Sequence, residues 1–151
     1  MKKVIEIYID GACSGNPGAG GWGVLLRYGT EEKELSGYEA DTTNNRMEMM
    51  AAIKALKALK SFSHGIEIYT DSKYLKDGIT LWLPSWKKKA WKNAKGQEIK
   101  NKDLWETIDN MVKNKNISWY WVKGHSGHKE NERVDILAKT ALQRGIMADI
   151  G

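Results

Sequence analysis

Ile7-Tyr8-Ile9-Asp10-Gly11-Ala12-Cys13-Ser14-Gly15-Asn16-Pro17-Gly18 decides the reading of this chain. With Ile5 and Glu6 before it, isoleucine alternates with Glu6, Tyr8 and Asp10, the period of two that sends successive side chains to opposite faces of a strand. Gly11, Gly15 and Pro17-Gly18 then oppose simple continuation. A strand over 4–10 therefore ends in an acid, beside backbone that can approach a ligand closely. Glu48, Asp71 and Asp135 occupy comparably unusual places.

Outward from that stretch, 20–28 reads as a second strand, Gly29-Thr30 as a turn and 32–38 as a third strand, together an antiparallel meander. Thr42-Thr43-Asn44-Asn45 opens a helix to about Lys60. Its apolar stripe is Ala52, Leu56 and Leu59, and Glu48 lies one step before Ala52, where a charge needs compensation. His64-Gly65 breaks the helix, and a strand over 66–70 ends at Asp71-Ser72. Short helices over 73–78 and 80–88 precede a lysine-rich segment with a turn at Lys95-Gly96-Gln97. A helix capped by Asn101 or Asp103 runs to about Lys113, and 117–122 is the last strand. A loop over 123–128 leads to a final helix from about Lys129 to Gln143. Its stripe is Val134, Leu137, Ala138, Ala141 and Leu142, with Asp135 on the stripe's edge. This order predicts one α/β domain over 1–145 and a short tail over 146–151. Its sheet is mixed, flanked by helices, with right-handed crossovers between parallel strands. Ligands of such sheets sit beyond the carboxyl ends of strands, where Asp10 and Asp71 fall.

At 151 residues the chain can build a core without staples, and its single cysteine, Cys13, excludes an internal disulfide. The apolar run after Met1-Lys2-Lys3 is short and carries Glu6, unlike a secretory signal. No stretch is apolar enough to span a membrane, so the expected location is the cytoplasm. The formal charge is +5. From Lys87 to Lys102 seven lysines face one acid, Glu98, so the excess sits in this one segment. A segment of one sign, with Trp82, Trp86 and Trp91 among Lys87, Lys88, Lys89 and Lys92, reads as a basic protrusion over about 82–102. It would bind phosphates without reading sequence, with Trp86 and Trp91 first of all bracing it.

Each carboxylate has an ordinary explanation. Asp10-Gly11 is common turn chemistry. Asn45 and Glu48 could form a capping pair. Asp71 or Ser72 could cap a helix, and Asp135 could pair with Lys139 four residues on. Together, at strand ends and on helix faces turned toward them, they would repel unless cations intervene. Hard oxygen donors suit magnesium or manganese, whereas zinc would lack soft ligands. Two such ions about 3.5–4 Å apart are the usual arrangement for phosphodiester hydrolysis. His125 lies between glycines on a loop, and an imidazole's unperturbed pKa of about 6.5 suits proton transfer.

With these residues in view, the chain resembles ribonuclease H of the bacterial type 1 family from roughly Val4 to Gln143. The likeness rests on Ile9-Asp10-Gly11 with Gly15-Asn16-Pro17-Gly18, Thr42 through Glu48, Thr70-Asp71-Ser72, Trp86-Lys87-Lys88 with Trp91-Lys92, Trp121 through His125, and Asn131 through Asp135. The resemblance implies a five-stranded mixed sheet of the ribonuclease H-like fold with the first strand central. It implies two-metal-ion hydrolysis of the RNA strand of an RNA–DNA hybrid, leaving 5′-phosphate and 3′-hydroxyl ends. Asp10 would bridge two Mg2+ ions (Mn2+ being an alternative), with Asp135 holding one and Glu48 and Asp71 the other, while His125 would assist proton transfer or product release. Gly11, Ala12 and Cys13 by their backbone, with Asn16, Asn45 and Glu48, would face the RNA ribose edge. Thr43, Asn44, Asn101 and Trp82 would meet the DNA strand, whose backbone Trp86, Lys87, Lys88, Lys89, Trp91 and Lys92 would grip. Asp41 stands where relatives often carry a basic residue, which weakens the DNA-phosphate pocket. A monomer with no obligate protein partner is expected. The rival classes are a non-catalytic hybrid-binding module, against which the four carboxylates and His125 argue, and another nuclease of the same fold.

Overall fold

The computed structural model describes residues 4–59, 65–123 and 128–150. Five strands form one sheet in the order β3-β2-β1-β4-β5. β1 (Val4–Cys13), β2 (Gly18–Tyr28) and β3 (Glu31–Thr42) are the antiparallel meander, while β4 (Gly65–Thr70) and β5 (Ile117–Trp121) join β1 in parallel. β1 is thus central, with a parallel neighbour on one side and an antiparallel one on the other.

The alternation in β1 sorts its side chains between two layers. Ile5, Ile7 and Ile9 enter the larger core with Val24, Ile66 and Ile68. Met47, Ile53 and Leu56 of α1 (Asn44–Ala58) cover that face. α4 (Lys102–Val112) packs on α1 and adds Leu104, Trp105 and Ile108. Tyr8 points to the other face, into a smaller cluster with Leu25 and Val134 beneath α5 (Lys129–Ile150). Between β4 and α4, the chain winds through α2 (Lys73–Asp77), a π-helical turn (Gly78–Trp82) and α3 (Leu83–Lys88) as one continuous rod.

Several boundaries differ from the sequence reading, among them β3, which runs on from 38 to Thr42. β1 continues through Gly11 to Cys13, because Gly11, Ala12 and Cys13 pair in register with Trp22, Gly21 and Gly20 of β2. The break expected near residue 79 is the π-helical turn, closed by the Leu83 N–H donating to the Gly78 carbonyl. α5 continues past Gln143 to Ile150 and docks on β3: Tyr38 donates to the Asp149 carboxylate at 2.5 Å and its ring lies on Gly145. His64 lies outside the described residues.

Candidate active site

Strand register brings the first two carboxylates side by side. Tyr8 and Tyr69 are partners across parallel β1 and β4, so Asp10 and Asp71, each two residues further, lie next to one another at the strands' carboxyl ends. Glu48 reaches the same point from α1 because Gly11 lets the helix approach. A Cβ on Gly11 would stand 2.7 Å from both the Glu48 nitrogen and Met47 Cβ. The Gly11 N–H then donates to Glu48 Oε1 at 3.0 Å and to Asp10 Oδ1 at 2.9 Å, and Thr70 Oγ1 lies 3.5 Å from Glu48 Oε2.

The ordinary roles of two of these acids are filled by other residues. Thr43 caps α1, accepting from the Arg46 N–H, so Glu48 lies beyond the first turn. Ser72 caps α2, accepting from the Leu75 N–H at 3.1 Å. Asp135 does pair with Lys139, at 3.0 Å.

One oxygen from each of Asp10, Glu48 and Asp71 falls within 4.8 Å of the others, a spacing able to hold a divalent cation. Asp10 and Glu48 are only 7% exposed, and Asp71 is the more open member. Burial raises the Asp10 pKa to about 7, partly offset by a hydrogen bond from Glu48; Asp71 and Asp135 raise it further. Glu48 is raised well above its ordinary range, by burial first and by Asp10 second. Without a cation, the buried pair therefore shares a proton near neutrality. A hard cation fits the all-oxygen donor set and would displace that proton. Asp135, outside that three-oxygen cluster, is near enough to Asp10 to raise its pKa as well. His125 lies outside the described residues.

A ribonuclease H family model matches residues 2–143. The chain belongs to the ribonuclease H family. Among its relatives, Ribonuclease H of Parvibaculum lavamentivorans is 58% identical over 141 residues, covering 93% of each chain. Ribonuclease H of Agrobacterium fabrum is 57% identical, covering 93% of this chain and 96% of its own. Among solved structures, LC9-RNase H1, described as a type 1 RNase H with the type 2 active-site motif, superposes with a TM-score of 0.85 at 34% identity. It covers 95% of this chain, which spans 74% of that one.

This ribonuclease H fold carries a second group of candidates beside the carboxylates, linked by hydrogen bonds. The Asn44 N–H donates to Asn16 Oδ1 at 3.3 Å. Arg46 forks onto Asp103 at 3.0 and 2.7 Å and also donates to Asn101 Oδ1 at 3.2 Å. Asn101, in the left-handed region at φ 61°, passes its amide to the Tyr74 hydroxyl, which the Trp105 indole also meets. The network holds Asn101 in a conformation that few non-glycine residues adopt. Arg46 carries no signal in the sequence beyond its motif, and Tyr74 none at all; only the fold brings them to Asn101. Asn45, beside them, starts α1 half-buried.

The basic protrusion is scaffolded by aromatics. The Trp86 ring lies 5.4 Å from Trp105 and 5.8 Å from Trp82, and Trp91 packs partly buried against the core. Trp86 and Trp91 thus brace, while Trp82 keeps 37% exposure. Lys87, Lys88, Lys89 and Lys92 are all exposed, and Lys87 also ion-pairs with Asp109 at 3.3 Å. No helix among the described residues is long and apolar enough to cross a membrane.

Proposed function

We propose that this enzyme cuts the RNA strand of RNA–DNA hybrids at the crevice formed by Asp10, Glu48, Asp71 and Asp135, with magnesium as its cofactor. The observation that carries the reading is the convergence of Asp10, Glu48 and Asp71 on one point, two of them buried, in a ribonuclease H chain. A solved relative, LC11-RNase H1, 25% identical with a TM-score of 0.74, is described in complex with an RNA/DNA hybrid.

Bound magnesium would supply charge neutralisation and an activated water at neutral pH. The chain's own residues do the positioning. Asp10 clusters with Glu48 and Asp71 and is the carboxylate whose titration Asp135 also raises, so it is the one suited to serve two ions. The Gly11 N–H fixes both Asp10 and Glu48, which limits the reorganisation needed when charge develops. His125 takes or returns a proton. Backbone of Gly11–Cys13, with Asn16, Asn45 and Glu48, meets the RNA 2′-hydroxyl, the group that tells RNA from DNA. Thr43, Asn44, Asn101 and Trp82 face the DNA strand, and protrusion lysines hold its phosphates.

Strand-labelled duplexes test this: RNA–DNA, RNA–RNA, DNA–DNA and single-stranded RNA in magnesium, each with and without chelator. Chelator-sensitive cutting of the hybrid's RNA strand alone is expected. Hybrid binding with no cutting would identify a binding module, and cutting of DNA would mean a different nuclease.

A further inference from the structure

The seven lysines between Lys87 and Lys102 look interchangeable in sequence, but one of them is committed elsewhere. Lys87 Nζ lies 3.3 Å from Asp109 Oδ1, and Asp109 is only 8% exposed. None of the protrusion's other lysines has an acid within ion-pair distance among the described residues.

The pair sits at a mechanical junction. Trp105 and Asp109 are four residues apart on α4 and so share a face. Trp86 and Lys87, consecutive at the end of α3, meet them one for one: indole against indole at 5.4 Å, ammonium against carboxylate at 3.3 Å. Beyond this junction the backbone leaves the helix. Trp91 N–H returns to the Trp86 carbonyl at 2.8 Å, and Ala90 and Trp91 take left-handed φ of 54° and 63°. The direction in which Lys88, Lys89 and Lys92 point is therefore set where α3 ends.

We propose that Lys87 is a positioning residue, the polar strut that fixes the protrusion's angle on α4, and that it does not bind phosphate. The reason is energetic. If Lys87 turned to a phosphate, a carboxylate almost wholly withdrawn from water would lose its counter-charge, and stranding a buried charge costs far more than one screened phosphate contact returns. Lys88, Lys89 and Lys92 have no such obligation. The inference rests on the hybrid-binding reading above and divides the labour within it.

The test is KM for a hybrid at several salt concentrations, with melting temperature measured alongside. Neutralising Lys88 or Lys89 to methionine is expected to lower the slope of log KM against log salt by about 0.7–0.9 each, at unchanged melting temperature. Lys87→Met is expected to raise KM about threefold or more and lower the melting temperature, with kcat and the salt slope kept. Lys87→Arg should restore both. So should Lys87→Met combined with Asp109→Leu, which replaces the ion pair by apolar contact. A Lys87→Met slope reduced like that of Lys88→Met would overturn the assignment, as would a double variant no better than either single one. If no lysine alters the slope, the hybrid-gripping role of the whole protrusion fails, and the strut with it.

Discussion

The acidic crevice and the basic protrusion carry opposite charge, and they are built in opposite ways. The crevice draws residues 10, 48 and 71 from β1, α1 and the end of β4, with Asp135 of α5 near enough to influence Asp10, so it exists only when the sheet is assembled. Two of its carboxylates are buried and hold their neighbours' titration in common. The protrusion is nearly contiguous in sequence and its lysines are exposed, Lys87 alone of them paired with an acid among the described residues. The difference teaches where charge is expensive. In the crevice, electrostatic stress is built in and awaits a cation. In the protrusion, charge costs little and acts additively.

The sharpest way to break this contrast is to remove one charge from each region. Asp10→Asn should lower kcat by about a thousandfold or more, because the carboxylate proposed to serve both ions is lost. Hybrid binding in chelator should hold or tighten, since a negative charge leaves the phosphate's path. Filter binding beside single-turnover cleavage checks both, and near-normal turnover would sink the crevice as the active site.

The scaffold of the protrusion has its own weak point, at Gly78. A Cβ there would stand 2.1 Å from the Trp105 ring, whose side chain is fully buried. Gly78→Ala forces the rod of α2 and α3 off α4, and overpacking of that kind costs about 1–3 kcal/mol. Chemical denaturation should show the loss, with KM for hybrid rising through a displaced protrusion and kcat little changed. A fall in kcat with KM unchanged would show that the two regions are not mechanically separate.

The crevice's shared proton gives a third prediction, and its sign is definite. Asp10 titrates near 7 in the folded chain, against an ordinary value near 4 when unfolded. Between those pH values the folded chain binds more protons, so this group's contribution to stability falls as pH rises through that window and then levels off. In chelator, Asp10→Asn should therefore gain melting temperature over the parent as pH climbs from about 5 to 8, by about 5 °C. Magnesium should erase the gain. A constant difference across that range would mean that Asp10 is not desolvated.

Much of this was legible in the sequence, for a physical reason. Asp10 and Asp71 were visible because a strand's period of two stops abruptly at an acid, and Glu48 because a charge interrupts an apolar stripe. What was not legible depended on neighbours remote in sequence. Glycine in 11–13 argued for a break, yet pairing with Gly20, Gly21 and Trp22 keeps β1 extended. The helix past Gln143 depended on Gly145 fitting under Tyr38. The lysines looked alike until Asp109, buried on another helix, singled out Lys87.

The smallest effect lies at the crevice's edge, where its rules meet the protrusion's. Asp135 pairs with Lys139 at 3.0 Å, and the same ammonium is near enough for Asp10 to raise its pKa. Lys139 is 59% exposed and Asp135 33%, so solvent screens the pair and the bridge contributes little. A cation using Asp135 must compete with that ammonium, and removing it removes only a small handicap. Lys139→Gln should therefore tighten magnesium binding about two- to fivefold, measured by calorimetry without substrate, with Lys139→Arg close to the parent. An effect of a hundredfold would mean that Lys139 is held as tightly as Lys87, and that the edge of the crevice is as dry as its floor. No effect at all would mean that Asp135 turns away from Lys139 at no cost, as an exposed side chain can.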